Sequence, residues 1–134
     1  MSGTNAFRLV PFLLTALLAP VLAASDKADQ KFFDSKVAPI LTKRCLPCHD
    51  TGLDNGGISF RDRSSLLKGG KRGPSIVPGK PEASVMIQAL KHEGELQMPP
   101  GPALSAKESG VLTEWVRRGA AWGEKLPMRR NGPY

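Results

Sequence analysis

The sequence predicts an all-α domain with long loops. Apolar residues recur at steps of three and four in several stretches, no alternating strand pattern is visible, and 14 Gly and 12 Pro mark irregular segments between them. The chain has 134 residues, and without its first 24 it has the length of one domain. We therefore expect a single domain at residues 25–134, with a core at about 32–122.

The amino terminus has the pattern of a secretory signal peptide, which we assign to residues 1–24. Arg8 precedes a run from Leu9 to Ala24 in which only Thr15 is polar. Cleavage after Ala23 or Ala24 predicts a periplasmic or otherwise exported protein. The run is shorter than the roughly 20 residues of a membrane helix, and two prolines interrupt it. Both features disfavour an uncleaved anchor and stable membrane insertion after cleavage.

The net charge of the mature chain indicates which classes of binding partner to expect. Removal of Arg8 leaves 18 basic and 12 acidic residues, a net charge of +6. The basic residues are scattered, as on an ordinary soluble surface, so nucleic acid is not an expected partner. An acidic redox protein remains compatible with this surface.

The first helix is predicted from Asp26 to Arg44. Apolar residues at Phe33, Val37 and Leu41 share one face, and Asp29 lies near the expected start. Pro39 has no amide hydrogen, which predicts a kink or two shorter segments.

Three further helical segments are predicted. Ser64 to Lys68 forms a short turn, and Pro81 opens a helix that runs to about Lys91. The last helix begins at a capping box, Ser105 with Glu108, and ends before Gly119.

The segment Cys45-Leu46-Pro47-Cys48-His49 carries the chemistry. It is the CxxCH pattern of c-type haem attachment. On one helical turn, residues i, i+3 and i+4 share a face, so two sulfurs reach two vinyl groups while the imidazole approaches the iron. Both cysteines of the chain are used in this way. The pattern predicts one covalent haem c per chain, with iron bound by His49.

Other uses of the two cysteines fit less well. A thioredoxin-like CxxC is expected beside a βαβ pattern, which is absent here. Zinc would need four ligands from Cys45, Cys48, His49 and His92, two of which are adjacent. A disulfide across two residues would close too small a loop to stabilise much.

The second axial ligand of the iron has four candidates. Met98 is preferred because Pro99 and Pro100 stiffen its loop, which would hold a thioether in place. Met86 lies in a helical stripe typical of core packing, Met128 lies in a basic tail, and His92 would give bis-histidine ligation. The expected apolar residues around the haem, or between the two terminal helices, are Ile40, Leu41, Leu46, Leu112, Trp115 and Val116.

Ligation by His and Met favours reduced iron and suits reversible one-electron transfer. Because both axial sites would be filled and no acid–base pair is evident, we expect an electron carrier and not an enzyme. The alternatives are a haem enzyme or gas sensor with an open or labile distal site, and a binding module in which haem is structural.

Beyond the haem motif, several ordered segments resemble the planctomycete-type cytochrome c domain. They are KVAPILTKRCLPCH, the Gly56–Gly57 pair, LLKGG, VPGKPEAS, the MPPG loop and the closing LSAKESGVLTEWVRRGAAW helix, across about 32–122. The resemblance implies a cytochrome c-like fold whose loops wrap a haem c on Cys45 and Cys48. It also implies His49 as proximal and Met98 as distal ligand, with a redox donor and acceptor that it does not identify.

Overall fold

The computed structural model describes residues 19–50, 55–60, 62–124 and 126. Most of the predicted signal peptide and Met128 lie outside these residues. Six α-helices are present in the described part: α1 (Ala19–Phe32), α2 (Ala38–Arg44), α3 (Leu46–His49), α4 (Arg63–Lys68), α5 (Val85–Leu90) and α6 (Ala106–Arg117). A π-helical turn (Phe33–Val37) joins α1 to α2, and 3₁₀ turns cover Asn55–Gly57 and Pro81–Ala83. No strand occurs among the described residues, which confirms the all-α class.

The first predicted helix is divided, as Pro39 suggested. The π-helical turn ends at Val37, and Pro39 lies in the first turn of α2, where a missing amide hydrogen is tolerated. The helical segment begins earlier than the predicted Asp26, since α1 includes Ala19. Phe33 and Val37, at the two ends of the π-helical turn, are both fully buried.

Helix α6 packs across the π-helical turn and against α5. Its contact with the amino-terminal helices is aromatic, since the ring of Phe33 lies 5.6 Å from that of Trp115 and 4.5 Å from that of Trp122. The indole nitrogen of Trp115 donates to the Ala121 carbonyl at 2.7 Å, which satisfies its polar atom within the core. This packing fixes α2, which leads directly into Cys45.

The capping box predicted at the start of α6 is present. Ser105 Oγ accepts from the Glu108 amide at 3.2 Å, and Glu108 Oε2 accepts from the Ser105 amide at 3.0 Å. A second cap was not predicted: the Asp62 side chain accepts from the Ser65 amide at 2.8 Å and starts α4. The loops between α4 and α5 and between α5 and α6 are irregular, apart from the 3₁₀ turn at Pro81–Ala83 and an isolated bridge of Gly70 with Gly73.

No helix in the described ranges has the length and apolar content needed to cross a membrane.

Candidate functional site

The CxxCH segment forms one helical turn directly after α2. The Cys45 amide donates to the Leu41 carbonyl at 3.0 Å, and the His49 amide donates to the Cys45 carbonyl at 3.0 Å. Pro47 lies in the first turn of α3, where its fixed φ suits a helix. The spacing predicted from the sequence is therefore realised as continuous helical winding.

His49 is buried, with 9% of its surface exposed. Its Nδ1 lies 3.3 Å from the Ile58 carbonyl oxygen. Because a carbonyl only accepts, Nδ1 donates in this contact, and Nε2 is the ring nitrogen that remains to bind a ligand. A histidine that binds a metal usually donates its other N–H to such an acceptor. The imidazole is thus oriented as a metal ligand would be.

One cavity of about 530 Å³ brings the four predicted site residues together. Cys45, Cys48, His49 and Met98 all line it. The volume is within the range of about 300–1,000 Å³ that is usual for ligand and cofactor sites. Its walls come from α3, the loops around residues 56–60 and 71–75, α5, and the segment from Leu96 to Leu104.

Met98 is held to the end of α5 by its backbone. Its amide donates to the Ala89 carbonyl at 3.0 Å, and its carbonyl accepts from His92 Nε2 at 3.0 Å. His92 does not line the cavity. Met86 does line it, but is only 8% exposed and belongs to the core. The described residues therefore bring two thioethers, Met98 and Met86, to the cavity wall.

None of the six apolar residues expected around the haem or between the helices lines the cavity. Leu41, Leu112, Trp115 and Val116 are buried, but they pack between helices and do not line the cavity. The sequence left open whether these residues surround the haem or pack between helices, and the structure places them between helices. The aliphatic and aromatic wall was not predicted from the sequence; it comprises Ile58, Phe60, Val85, Ala89, Leu90, Leu96 and Leu104.

The charged side chains that line the cavity all carry the same sign. They are Lys43, Arg44, Lys71 and Arg72, and among the described residues no acidic side chain lines the cavity. Burial raises the pKa of the Cys45 thiol to about 12, against the opposing charge of Arg44. In this structure Cys45 is thus a neutral thiol at neutral pH.

The donor set is one of soft and borderline ligands: two sulfurs on one helical turn, an imidazole, and a thioether from a distant loop. Cys45 and Cys48 are not joined by a disulfide. Where the structure describes the chain, no group of three or more His, Cys, Asp or Glu side chains could hold a metal ion. The zinc alternative therefore gains no support, whereas an apolar cavity with one imidazole and one thioether suits haem iron.

Residues 45–102 match the family model described as Planctomycete cytochrome C. The match begins at Cys45 and includes His49 and Met98. No curated protein and no solved structure matches the chain. Residues 45–102 are thus similar to a planctomycete cytochrome c domain, which confirms over this segment the resemblance seen in the sequence. Such a domain implies covalently bound haem c and indicates a haem-binding electron carrier.

Proposed function

We propose that residues 25–134 form an exported, monohaem c-type cytochrome that carries one electron at a time between redox proteins. The observation that carries this proposal is the convergence of Cys45, Cys48, His49 and Met98 on one cavity of about 530 Å³. Residues 1–24 direct export and are then removed, which leaves the protein in the periplasm or an equivalent compartment.

The residues present fit a haem. In the proposed holoprotein, Cys45 and Cys48 hold the porphyrin through thioether bonds, and His49 binds the iron through Nε2. The Ile58 carbonyl supports this role because it occupies Nδ1 and fixes the ring. When bound, haem c supplies a reversible one-electron couple at its iron.

The geometry favours Met98 over the other candidates as distal ligand. His92 Nε2 is engaged by the Met98 carbonyl and lies outside the cavity wall, so a bis-histidine site would require that contact to break. Met86 is part of a packed helix, whereas Met98 lies in a loop whose backbone is fixed at both its amide and its carbonyl. A thioether held in this way leaves the iron little opportunity to bind oxygen or peroxide.

The apolar wall adds a second effect on the iron. A site lined by side chains such as Phe60, Leu90 and Leu104 excludes water and has a low dielectric constant. Because net charge is costly in such surroundings, the wall favours the reduced state, as does a Met ligand in comparison with a second His. Both effects suit a carrier whose potential is raised.

Covalent haem tests the first part of the proposal. The full chain, coexpressed with a cytochrome c maturation system, should yield a processed red protein whose haem signal survives denaturing electrophoresis. Cys48→Ser should lose most of that signal, and wild type made without the maturation system is the control. A colourless protein with the mass of the bare polypeptide would contradict the proposal.

Two matched methionine variants test the distal ligand. Met98→Ala should lose the long-wavelength sulfur-to-iron absorption band of the oxidised protein and should bind carbon monoxide readily when reduced. Met86→Ala removes a thioether from the same cavity and should keep the band. If the wild-type protein binds carbon monoxide rapidly and completely at neutral pH, the iron has an open site, and the chain is a haem enzyme or gas sensor.

A further inference from the structure

The hydroxyl of Ser75 has no hydrogen-bond partner among the described residues, although the residue is only 1% exposed and lines the cavity. Its backbone is fully used, since the amide donates to the Leu66 carbonyl at 3.0 Å and the carbonyl accepts from the Met86 amide at 2.9 Å. Leaving a buried hydroxyl unsatisfied costs about 1–3 kcal/mol. A ligand with a polar group inside the cavity would satisfy this hydroxyl.

A second buried serine shows how this fold usually satisfies such a group. Ser84 is 0% exposed, and its Oγ accepts from the Val77 amide at 2.8 Å and donates to the Lys80 carbonyl at 2.9 Å. The two serines are equally buried, but only Ser75 keeps its hydroxyl available to a ligand.

Two cations precede Ser75 on the same loop. Lys71 and Arg72 are exposed, line the cavity, and form no salt bridge with any described acidic residue. The bridge between Gly70 and Gly73 holds this segment in a tight turn. A hydroxyl donor and two positive side chains that line the same cavity are suited to binding a carboxylate.

We propose that Ser75, with Lys71 and Arg72 at the rim, receives a propionate carboxylate of the haem; this inference rests on the proposed function. The other lining cations are less suited to that role. Arg44 also has a buried, unpartnered Nε, but it directly precedes Cys45, and its Nη2 donates to the Pro102 carbonyl at 3.3 Å. Haem propionates lie on the half of the porphyrin away from the two thioethers, and Lys43 and Arg44 directly precede Cys45 in the chain, whereas the 71–75 loop is distant from both cysteines in sequence.

The sign of the effect on the potential follows from electrostatics. An ionised propionate stabilises oxidised iron, and a hydroxyl donor with two cations screens its charge. Ser75→Ala should therefore raise the pKa of the propionate and, at pH values above it, lower the midpoint potential. The cavity-lining groups that also act on this carboxylate are Lys43, Arg44 and His49, and they are unchanged in the variant.

The experiment measures midpoint potential against pH in the holoprotein. In Ser75→Ala the inflection in the plot of midpoint potential against pH should move to higher pH. Above that inflection, the redox equilibrium should shift about threefold towards the oxidised form, which lowers the midpoint potential by about 28 mV at about 59 mV per tenfold change. The double variant Lys71→Gln, Arg72→Gln should also lower the midpoint potential. This decrease should be smaller in high salt, because salt screens exposed charges.

The controls match each change. Ser84→Ala removes an equally buried hydroxyl that is already bonded within the protein, and should leave the pH profile unchanged. Lys68→Gln with Lys80→Gln removes the same charge from exposed positions outside the cavity, and should shift the potential much less than the 71/72 pair.

Three results would overturn the inference. The first is a Ser75→Ala profile that superimposes on wild type. The second is loss of the sulfur-to-iron band in Ser75→Ala without a change in the pH profile, which would assign the hydroxyl to the distal sulfur. The third is an equal shift from the Lys68/Lys80 control. With covalent haem present in the wild type, any of these leaves the proposed function intact; without it, both proposals fail.

Discussion

Arg63 connects α4 to the end of α6, and its replacement should cost more stability than any exposed ion pair of the domain. Its Nε donates to the Ala120 carbonyl at 2.8 Å and its Nη2 to the Gly119 carbonyl at 3.1 Å. These carbonyls follow the last turn of α6, where backbone acceptors have no helical partner and a cation interacts favourably with the helix dipole.

The magnitude follows from the two bonds. A hydrogen bond to a charged group contributes about 1.5–3 kcal/mol, and the guanidinium of Arg63 is half-buried. We take the lower end of this range for the pair, so Arg63→Gln should reduce the free energy of unfolding by about 2 kcal/mol. For a domain of this size, the melting temperature should fall by about 8–16 °C.

Urea unfolding of the matured protein, followed by far-ultraviolet circular dichroism, measures this loss. Arg117→Gln is the matched control, because Arg117 meets Glu114 at 2.7 Å with both side chains largely exposed, and it should cost less than about 0.5 kcal/mol. Arg63→Lys keeps the charge but not the planar two-point donor, and should recover only part of the stability. If Arg63→Lys equals wild type, charge alone acts at this helix end and the two-carbonyl contact contributes nothing.

Three further predictions concern single residues. Gly70→Ala would place a Cβ against the Gly56 carbonyl oxygen and 2.7 Å from Ile58 Cγ1 and should destabilise the domain by about 1–3 kcal/mol, with a changed haem spectrum because the Ile58 carbonyl orients the proposed axial imidazole; an unchanged melting curve would contradict it. Gly110→Ala meets nothing within 4 Å in α6 and should stabilise by about 0.5–1 kcal/mol in the same urea assay. Hydrogen bonds from the Ser105 amide and then from its hydroxyl lower the pKa of Glu108. Glu108→Ala should therefore be less stable than wild type at neutral pH, and this difference should disappear as pH falls below the ordinary glutamate value of about 4.3. A stability difference that persists in acid would refute this account.

The elements that could be predicted from the sequence depend on local chemistry. The capping box of α6 needs only Ser105 and Glu108, three residues apart, and its bonds form as expected. Pro39 likewise restricts its own backbone, and the helix is divided just before it. The CxxCH turn belongs to the same class, because its geometry is set within five residues.

Features that depend on distant contacts could not be predicted in the same way. Leu112 and Trp115 have the apolar spacing of a helix face, but that spacing does not indicate whether the face meets a cofactor or another helix. In the structure α6 packs against α5 and the π-helical turn, and both residues lie in the core, while the cavity wall includes loop residues such as Ile58 and Leu104. Ser75 lies in a Gly- and Pro-rich crossing where no periodic pattern indicates burial.

His92 shows how a residue with one expected role acquires another through its position. Its sequence context allowed bis-histidine ligation of the iron, whereas the structure places it at φ +55, with Nε2 donating to the Met98 carbonyl. Together with the Ala89 carbonyl, which accepts from the Met98 amide, it fixes both backbone polar groups of the proposed distal ligand. A flexible thioether on a fixed backbone has fewer arrangements to lose when it binds iron, which favours stable ligation. The competing imidazole thus supports the proposed role of Met98 by holding its loop in place.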